Sequence, residues 1–364
     1  MEQQTKTLSV RIRDQHAQML RQLAFEVNQV WNAANAEAAE FSSVPIPGVG
    51  WVRFDTSAFD LQKSLQKMRA DRAPSLHSHT YQEVIAEHAK KRQQFKKNKR
   101  RWRCSGGPKR ALGWIPFKVG SAVWKSGQVR YHGHFFKVWD SYGLSQYAFR
   151  SGSFSEDARG RWYFNVAVAV PVKSNDRTSA VGIDLGLKDD ATCSDGLKLE
   201  ASQFYRSAEE ALAKAQRAGN KKQVKTIHAK IKNRRKDSLH KFSSKIVQSH
   251  GMIVVGDVSS SKLAKTGMAK SVLDAGWHML KTQLKYKAIG QSAVFVEINE
   301  AYSTQTCSCC GTIPESSPKG RAGLEVRHWE CSCCGAKHDR DINAAINILN
   351  AGLGCQSQET KSNG

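Results

Sequence analysis

The spacing of apolar residues changes along the chain, and each change predicts a different element. Thr5–Arg13 alternates, with Leu8, Val10 and Ile12 on one side, which predicts a strand. From Gln15 to Phe41, Leu20, Leu23, Phe25, Val27, Val30 and Trp31 recur at helical spacing. Pro45–Gly50 is a connector, and two more helices are expected over Ser57–Met68 and His77–Lys99. Gly113–Val172 then shows short apolar runs with turn cues every eight to twelve residues or so, the signature of a small antiparallel barrel or sandwich. Its aromatic residues, Phe164 and Trp139 included, are expected in the core.

After a polar linker at Lys173–Arg177 the runs lengthen. Ser179–Asp184 reads as a buried strand ending in an acid, followed by a second strand at Leu197–Leu199 and a long helical stretch over Ser207–Ser249. Gly251–Val258 and Ala293–Asn299 are apolar runs of the kind a parallel sheet buries on both faces. Between them lie a polar loop from Ser259 to Gly267 and a helix over Ser271–Ile289, with Leu273, Trp277, Leu280 and Leu284 on one side. A last helix is expected from Asp339 to Leu349, and the tail from Gly352 has no pattern that predicts order.

Charge narrows the partners. With 56 Lys and Arg against 32 Asp and Glu, the net charge of +24 exceeds what solubility requires and attracts polyanions. Eleven Lys or Arg and no acid fall between Lys90 and Arg110, with Phe95 and Trp102 among them. A second basic run spans Lys214–Lys245. Stacking aromatics beside phosphate-binding cations suit nucleic acid, which makes Lys96, Lys97, Lys99, Arg100, Arg101, Arg103, Lys232, Arg234 and Arg235 candidate contacts. No long apolar span and no basic amphipathic helix with a bulky apolar face argue for a membrane. Met1–Arg13 is polar, so a prokaryotic cytoplasm, close to the nucleoid, is the expected compartment.

Two motifs carry chemistry. Cys307/Cys310 and Cys331/Cys334 are Cys-x-x-Cys knuckles, each followed by Gly, and four thiolates so spaced predict one structural Zn2+. Cys309 and Cys333 lie inside the knuckles and compete as ligands on paper. Acids form the second motif. An unpaired carboxylate at the end of a buried strand is costly, so Asp184 needs a cause. The order strand, hairpin, helix, strand, helix, strand and acid-bearing helix predicts an α/β core like that of ribonuclease H. Such a core gathers acids at one end of its strands around two Mg2+ ions for phosphodiester hydrolysis. Asp184 and Asp341 suit the first and last ligand positions.

These residues resemble the TnpB (OrfB) proteins of insertion sequences, RNA-guided DNA endonucleases related to type V CRISPR effectors. The resemblance rests on G182-I-D-L-G, T306-C-S-C-C-G, the second knuckle and D339-R-D-I-N-A-A-I-N-I, and extends over nearly the whole chain. It implies a fold of α/β plus β class, a RuvC nuclease core with an inserted zinc ribbon, preceded by a wedge β-barrel with a helical recognition insert. The implied boundaries are 1–14 and 111–173 for the barrel, 15–110 for the insert and 174–302 for the core, with 207–249 as a helical insertion. The ribbon would be 303–337, the last core helix 338–350 and the tail 351–364. Guide RNA and double-stranded target DNA are the implied partners, with the protein reading a short motif beside the target; a monomer is the favoured state.

In one place the sequence departs from that family. The second catalytic strand usually ends in Glu, but here Gly256 stands at that position, followed by Asp257. Glu300, just past the end of the next strand, is the expected replacement, with Glu297 and Asp257 as rivals. The expected catalytic and Mg2+ ligand set is therefore Asp184, Glu300 and Asp341. Two other functions remain open on the sequence: a nuclease-dead RNA-guided DNA-binding repressor, and a DDE transposase. The intact Asp184 and Asp341 argue against the first. A zinc ribbon placed before the last acid and the absence of an N-terminal helix-turn-helix pattern argue against the second.

Overall fold

The structure, a computed structural model, describes residues 2–40, 44–48, 50–52, 56–97, 99–259, 263, 265, 267–320, 323 and 325–362. The chain divides into two compact units, residues 5–170 and residues 1–4 with 171–364.

The unit of residues 5–170 begins with strand β1 (Gln3–Ile12) and helix α1 (Ala17–Glu40). A short pair follows, β2 (Val44–Ile46) and β3 (Gly50–Val52), then helices α2 (Ala58–Ser64), α3 (Gln66–Arg72) and α4 (Ser78–Phe95). Seven more strands complete it: β4 (Trp114–Phe117), β5 (Ala122–Lys125), β6 (Gln128–Tyr131), β7 (His134–Phe136), β8 (Val138–Trp139), β9 (Phe149–Glu156) and β10 (Trp162–Pro171). Helix α2 starts on a reciprocal cap, Ser57 with Asp60.

The expected barrel does not close. The main sheet has the order β4-β9-β10-β1-β8, with β4 and β8 as free edges, and β5-β6-β7 form a separate three-stranded sheet. Strand β8 is only two residues long and pairs through Arg11 with Trp139 and Ile12 with Val138, too little to carry the sheet round. Helices cover the apolar face instead: Leu20, Val27 and Val30 of α1 and Val84 and Ile85 of α4 share one core with Phe117, Phe154 and Phe164. Phe164 is fully buried as expected, but Trp139 is 39% exposed at the sheet edge. The guanidinium carbons of Arg11 and Arg13 lie 4.6 and 4.3 Å from its ring centre.

The second unit holds β11 (Ala180–Asp184), β12 (Asp189–Cys193), β13 (Lys198–Glu200), α5 (Glu209–Arg217), α6 (Lys221–Ser249) and β14 (Met252–Gly256). It continues with α7 (Ala269–Ala275), α8 (Trp277–Ile289), β15 (Val294–Ile298), β16 (His328–Glu330), β17 (Lys337–Asp339) and α9 (Arg340–Ser362). The sheet order is β13-β12-β11-β14-β15, with β11, β14 and β15 mutually parallel and β12 and β13 turned back as a hairpin. Strand β14 is buried at every position, which explains its lack of alternation. Parallel pairing brings the C-terminal ends of β11, β14 and β15 to one edge.

Two elements of this unit differ from expectation. The helix foreseen over Ser271–Ile289 breaks into α7 and α8 at Gly276, whose φ of 69° leaves the helical region; Leu273 is consequently 63% exposed. Helix α9 continues to Ser362, through most of the segment where composition predicted no order, and Asn363 and Gly364 lie outside the described residues. The polar loop Ser259–Gly267 lies partly outside them too.

Helix α9 crosses β11 with its backbone almost touching the strand. A Cβ added at Gly182 would sit 2.0 Å from the Ala345 carbonyl oxygen and 2.7 Å from the Leu349 nitrogen. Ala344, Ala345 and Ile348 are fully buried in that crossing. Gly182→Ala should therefore force the helix off the sheet and destabilise this unit by about 1–3 kcal/mol or more. Chemical denaturation checks it: an unchanged midpoint would mean the helix does not pack there.

Candidate metal centres

Two knuckles with the same internal wiring assemble the cysteines. In each, the first Cys N–H donates to the carbonyl five residues on, Cys307 to Thr312 at 2.8 Å and Cys331 to Ala336 at 2.9 Å. In each, the glycine N–H returns to the first Cys carbonyl, from Gly311 at 2.9 Å and from Gly335 at 2.8 Å. Both glycines take the left-handed φ that this turn needs, 75° and 71°. The Sγ atoms of Cys307, Cys310, Cys331 and Cys334 all lie within 4.8 Å of one another. The Cys307–Cys334 and Cys310–Cys331 pairs are 3.7 Å apart, close to the edge of roughly 3.8 Å that a tetrahedron with bonds of about 2.3 Å requires. Cys309 and Cys333 are exposed and stay outside the cluster. Nε2 of His338 lies 3.0 Å from the Cys307 sulfur. The four outer cysteines thus could hold one metal ion.

The acids meet at the other end of the same ribbon. Asp184 ends β11, Glu300 follows β15 by two residues, and Asp341 is in the first turn of α9. Burial, then the negative charges of Glu300 and Asp341, push the Asp184 carboxyl up to about 7, with Arg340 opposing. Glu300 is also raised, by burial and then by Asp257, against Lys281 and a hydrogen bond from the Val258 backbone.

Glu300 occupies the space that a side chain at 256 would fill: a Cβ on Gly256 would lie 2.2 Å from Glu300 Oε2. That buried oxygen has no hydrogen-bond partner among the described residues. The rivals behave differently. Glu297 lies opposite Val255 and pairs with Lys281 of α8 at 2.5 Å. Asp257 is exposed, and its Oδ1 accepts the Glu300 N–H at 3.4 Å, so it supports the turn that presents Glu300.

Several residues of this site had no signal in the sequence. A carboxylate at a helix start is often only a cap, but here Asp339 is the cap: its Oδ1 accepts the N–H groups of Asp341 and Ile342 at 3.0 and 3.1 Å. Asp341 is thereby left to pair with Arg327 at 3.2 Å and Arg340 at 3.1 Å. Among the described residues only the cysteines bring three or more ligand atoms within 4.8 Å; the carboxylates are close enough to repel but looser as a set. An unpartnered buried carboxylate oxygen, a cleared cradle at Gly256 and a raised Asp184 all fit a cation between them.

The basic candidates separate into two groups. Lys96, Lys97, Lys99, Arg101, Lys232 and Arg234 are exposed. Lys99 lies 5.1 Å from the Trp102 ring and Arg100 4.4 Å from the Phe95 ring, and both rings are largely exposed. Arg103 turns inward: its Nε donates to Asn28 at 2.7 Å and Nη2 to the Leu112 carbonyl at 3.0 Å, and burial lowers its pKa. Arg235 pairs with the buried Asp274 at 2.6 Å. Both hold their own unit together, because a solvated phosphate contact would take the donor from Asn28 Oδ1 or the counter-charge from the buried Asp274.

Comparison with known proteins finds likenesses over parts of the chain. A family model for OrfB of IS605 elements, described as "Probable transposase", matches residues 163–267, and a "Cas12f1-like, TNB domain" model matches residues 277–348. A Streptomyces pristinaespiralis protein named "Putative RNA-guided DNA endonuclease" is 37% identical over 216 residues, 55% of this chain and 52% of that one. The Escherichia coli K12 protein "Putative RNA-guided DNA endonuclease InsQ" is 30% identical over 225 residues, 53% of this chain and 54% of that one. A solved structure, "Cryo-EM structure of the Cas12f1-sgRNA-target DNA complex", aligns over 95% of this chain and 99% of that one at 17% identity and a TM-score of 0.40, too low to carry an argument. The chain spans about half the length of the curated relatives it matches. Over these stretches the chain is similar to OrfB-type and Cas12f1-like proteins.

A pH dependence follows from Asp184. Its folded pKa of about 7 exceeds the ordinary 3.8, so between these values the folded chain holds a proton that the unfolded chain has released. Stability in Mg2+-free buffer should then fall as pH rises through that window. Asp184→Asn should lessen the fall, unfolding at a higher temperature than wild type at pH 8 by roughly 2 °C or more and matching it near pH 4. Calorimetry across pH decides this, and equal midpoints at pH 8 would remove Asp184 from the acidic cluster.

Proposed function

We propose that this chain is an RNA-guided, Mg2+-dependent DNA endonuclease that cuts target DNA beside a short protein-read motif. It does so at a single RuvC-type site formed by Asp184, Glu300 and Asp341. The reading is carried by one observation: Glu300 fills the cradle above Gly256, at the sheet edge where Asp184 and Asp341 also lie. The strand order of the sheet, with acids at the ends of β11 and beyond β15, supports a ribonuclease-H-like core. The printed names of the relatives support guide RNA and DNA as partners. Zn2+ at Cys307, Cys310, Cys331 and Cys334 is structural on this reading, since four protein ligands leave no position for water.

When bound, two Mg2+ ions would activate a water and stabilise the leaving oxygen of the phosphodiester. The chain's own residues supply the rest. Asp184 and Glu300, raised by burial and then by neighbouring acids, release protons to receive positive charge. Arg327 and Arg340 fix the Asp341 carboxylate by hydrogen bonds, and Asp257 braces the Glu300 backbone. The exposed cations of α6 and of the segment after α4 take the phosphate backbone of guide or target.

Glu300→Gln, Asp184→Ala and Asp341→Ala should each abolish guided cleavage while target binding persists. Glu297→Gln and Asp257→Asn should retain most of it. A single guided-cleavage assay on all five variants tests the assignment. Normal cutting by Glu300→Gln, with loss in Glu297→Gln or Asp257→Asn, would transfer the role elsewhere. A wild-type protein that binds its guided target without cutting it under Mg2+ would be a repressor.

Replacing Lys232 and Arg234 by Ala should flatten the salt dependence of guide-RNA affinity by up to about two contacts' worth. Arg235→Ala should lower thermal stability instead, because it strands Asp274. An unaltered salt slope in the double variant would return this helix face to plain solvation.

A further inference from the structure

The two asparagines of D339-R-D-I-N-A-A-I-N have no role in the ligand chemistry above, yet they bridge the last helix to the segment around the first knuckle. Asn343 is 1% exposed. Its Nδ2 donates to the Thr306 carbonyl at 2.8 Å and to the Ser303 carbonyl at 3.4 Å, while its Oδ1 accepts the Ser308 N–H at 2.9 Å. One turn later Asn347 Nδ2 donates to the same two carbonyls, at 2.8 Å to Ser303 and 2.6 Å to Thr306. The segment they grip is a run of turns from Glu300 to Cys307, in which Ser303 N–H returns to the Glu300 carbonyl at 3.1 Å and Thr306 N–H to the Tyr302 carbonyl at 2.9 Å. Tyr302 there adopts a φ of 65°, which a non-glycine residue holds only when its surroundings enforce it.

We infer that Asn343 and Asn347 are positioning residues, keying the turn that presents Glu300 and the first cysteine knuckle to the helix that presents Asp341. This rests on the carboxylate assignment proposed above. Glu300 and Asp341 come from segments about forty residues apart in sequence, and a pair of like charges must be held against repulsion. Asn343 is two residues from Asp341, and its partners begin three residues from Glu300, so slippage along this bridge would alter the spacing of the two carboxylates. The bridge needs a short side chain with two donors and one acceptor at one position, and Asn meets that demand where Asp does not. An Asp would set a carboxylate against two carbonyl oxygens. Groups outside the ligand set that orient ligands are typically worth about 10–100-fold in metal affinity or activity.

The test uses the full chain with its guide RNA. For Asn343→Asp and Asn347→Ala, zinc content, thermal midpoint, Mn2+ affinity by electron paramagnetic resonance and the Mg2+ dependence of cleavage are measured together. Asn343→Asp should keep one equivalent of zinc and lose Mn2+ affinity about tenfold, with the half-saturating Mg2+ rising in parallel. Saturating Mg2+ should recover most of the cleavage rate. Asn347→Ala should move the same way by less, because Asn343 still reaches both carbonyls; if Asn343→Asp does not fold, this variant decides. A lower thermal midpoint with unaltered Mn2+ affinity and Mg2+ dependence would make the asparagines purely structural and overturn the inference. Asp341→Asn is the reference. Loss of Mn2+ there, with none in the asparagine variants, overturns only the positioning role, whereas retention of Mn2+ by Asp341→Asn overturns the carboxylate assignment itself.

Discussion

The contact between Gly182 and the Ala345 backbone sets the geometry of the nuclease-like unit. Helix α9 can lie on β11 this closely only because the strand projects no side chain at Gly182: a single Cβ there would stand 2.0 Å from a carbonyl oxygen. That approach brings the first turn of α9 towards the end of β11, so that Asp341, about 160 residues on in sequence, acts on the buried Asp184. Every later feature of the site inherits this crossing. Asp339 caps the helix, Asp341 is released from capping, and the ribbon preceding the helix is drawn to the same end of the sheet.

Crowding negative charge in this way has an electrostatic consequence. Asp184 is pushed up to about 7 by burial, Glu300 and Asp341, while two guanidiniums engage Asp341. The arginines offset part of the repulsion, and among the described residues the inner oxygen of Glu300 has no donor. On the proposed reading, a divalent cation would relieve this crowding of carboxylates. The cysteine cluster is a different kind of site, closed by four ligands and built on backbone turns that exist without reference to the sheet.

Charge elsewhere acts by number more than by geometry. The surplus of 24 positive charges is spread over both units, yet individual cations have different tasks. Arg103 and Arg235 are consumed in internal contacts with Asn28 and Asp274, whereas Lys99 and Arg100 stand over exposed rings that a nucleobase could replace. A basic run in a sequence therefore indicates a partner class without indicating which members touch it.

By itself the sequence determined the local chemistry. Two Cys-x-x-Cys-Gly knuckles dictate a four-sulfur cluster because the turn is closed by hydrogen bonds within six residues, and an acid ending a buried strand announces a site because burial of a lone carboxylate is costly. The alternation in β1 and the uniformly apolar β14 were legible for the same reason, since each reflects burial along one short segment. Tertiary structure decided what depends on distant segments meeting. The open sheet of residues 5–170 came from helices covering faces that closure would otherwise cover, and Trp139 became an edge residue. The missing acid at Gly256 pointed in sequence to Glu300, 44 positions on, with Glu297 and Asp257 as rivals, and the tertiary structure puts the Glu300 carboxylate in that space. Arg327, Asn343 and Asn347 carry no spacing signal at all, because their partners lie on other elements and no local rule relates them.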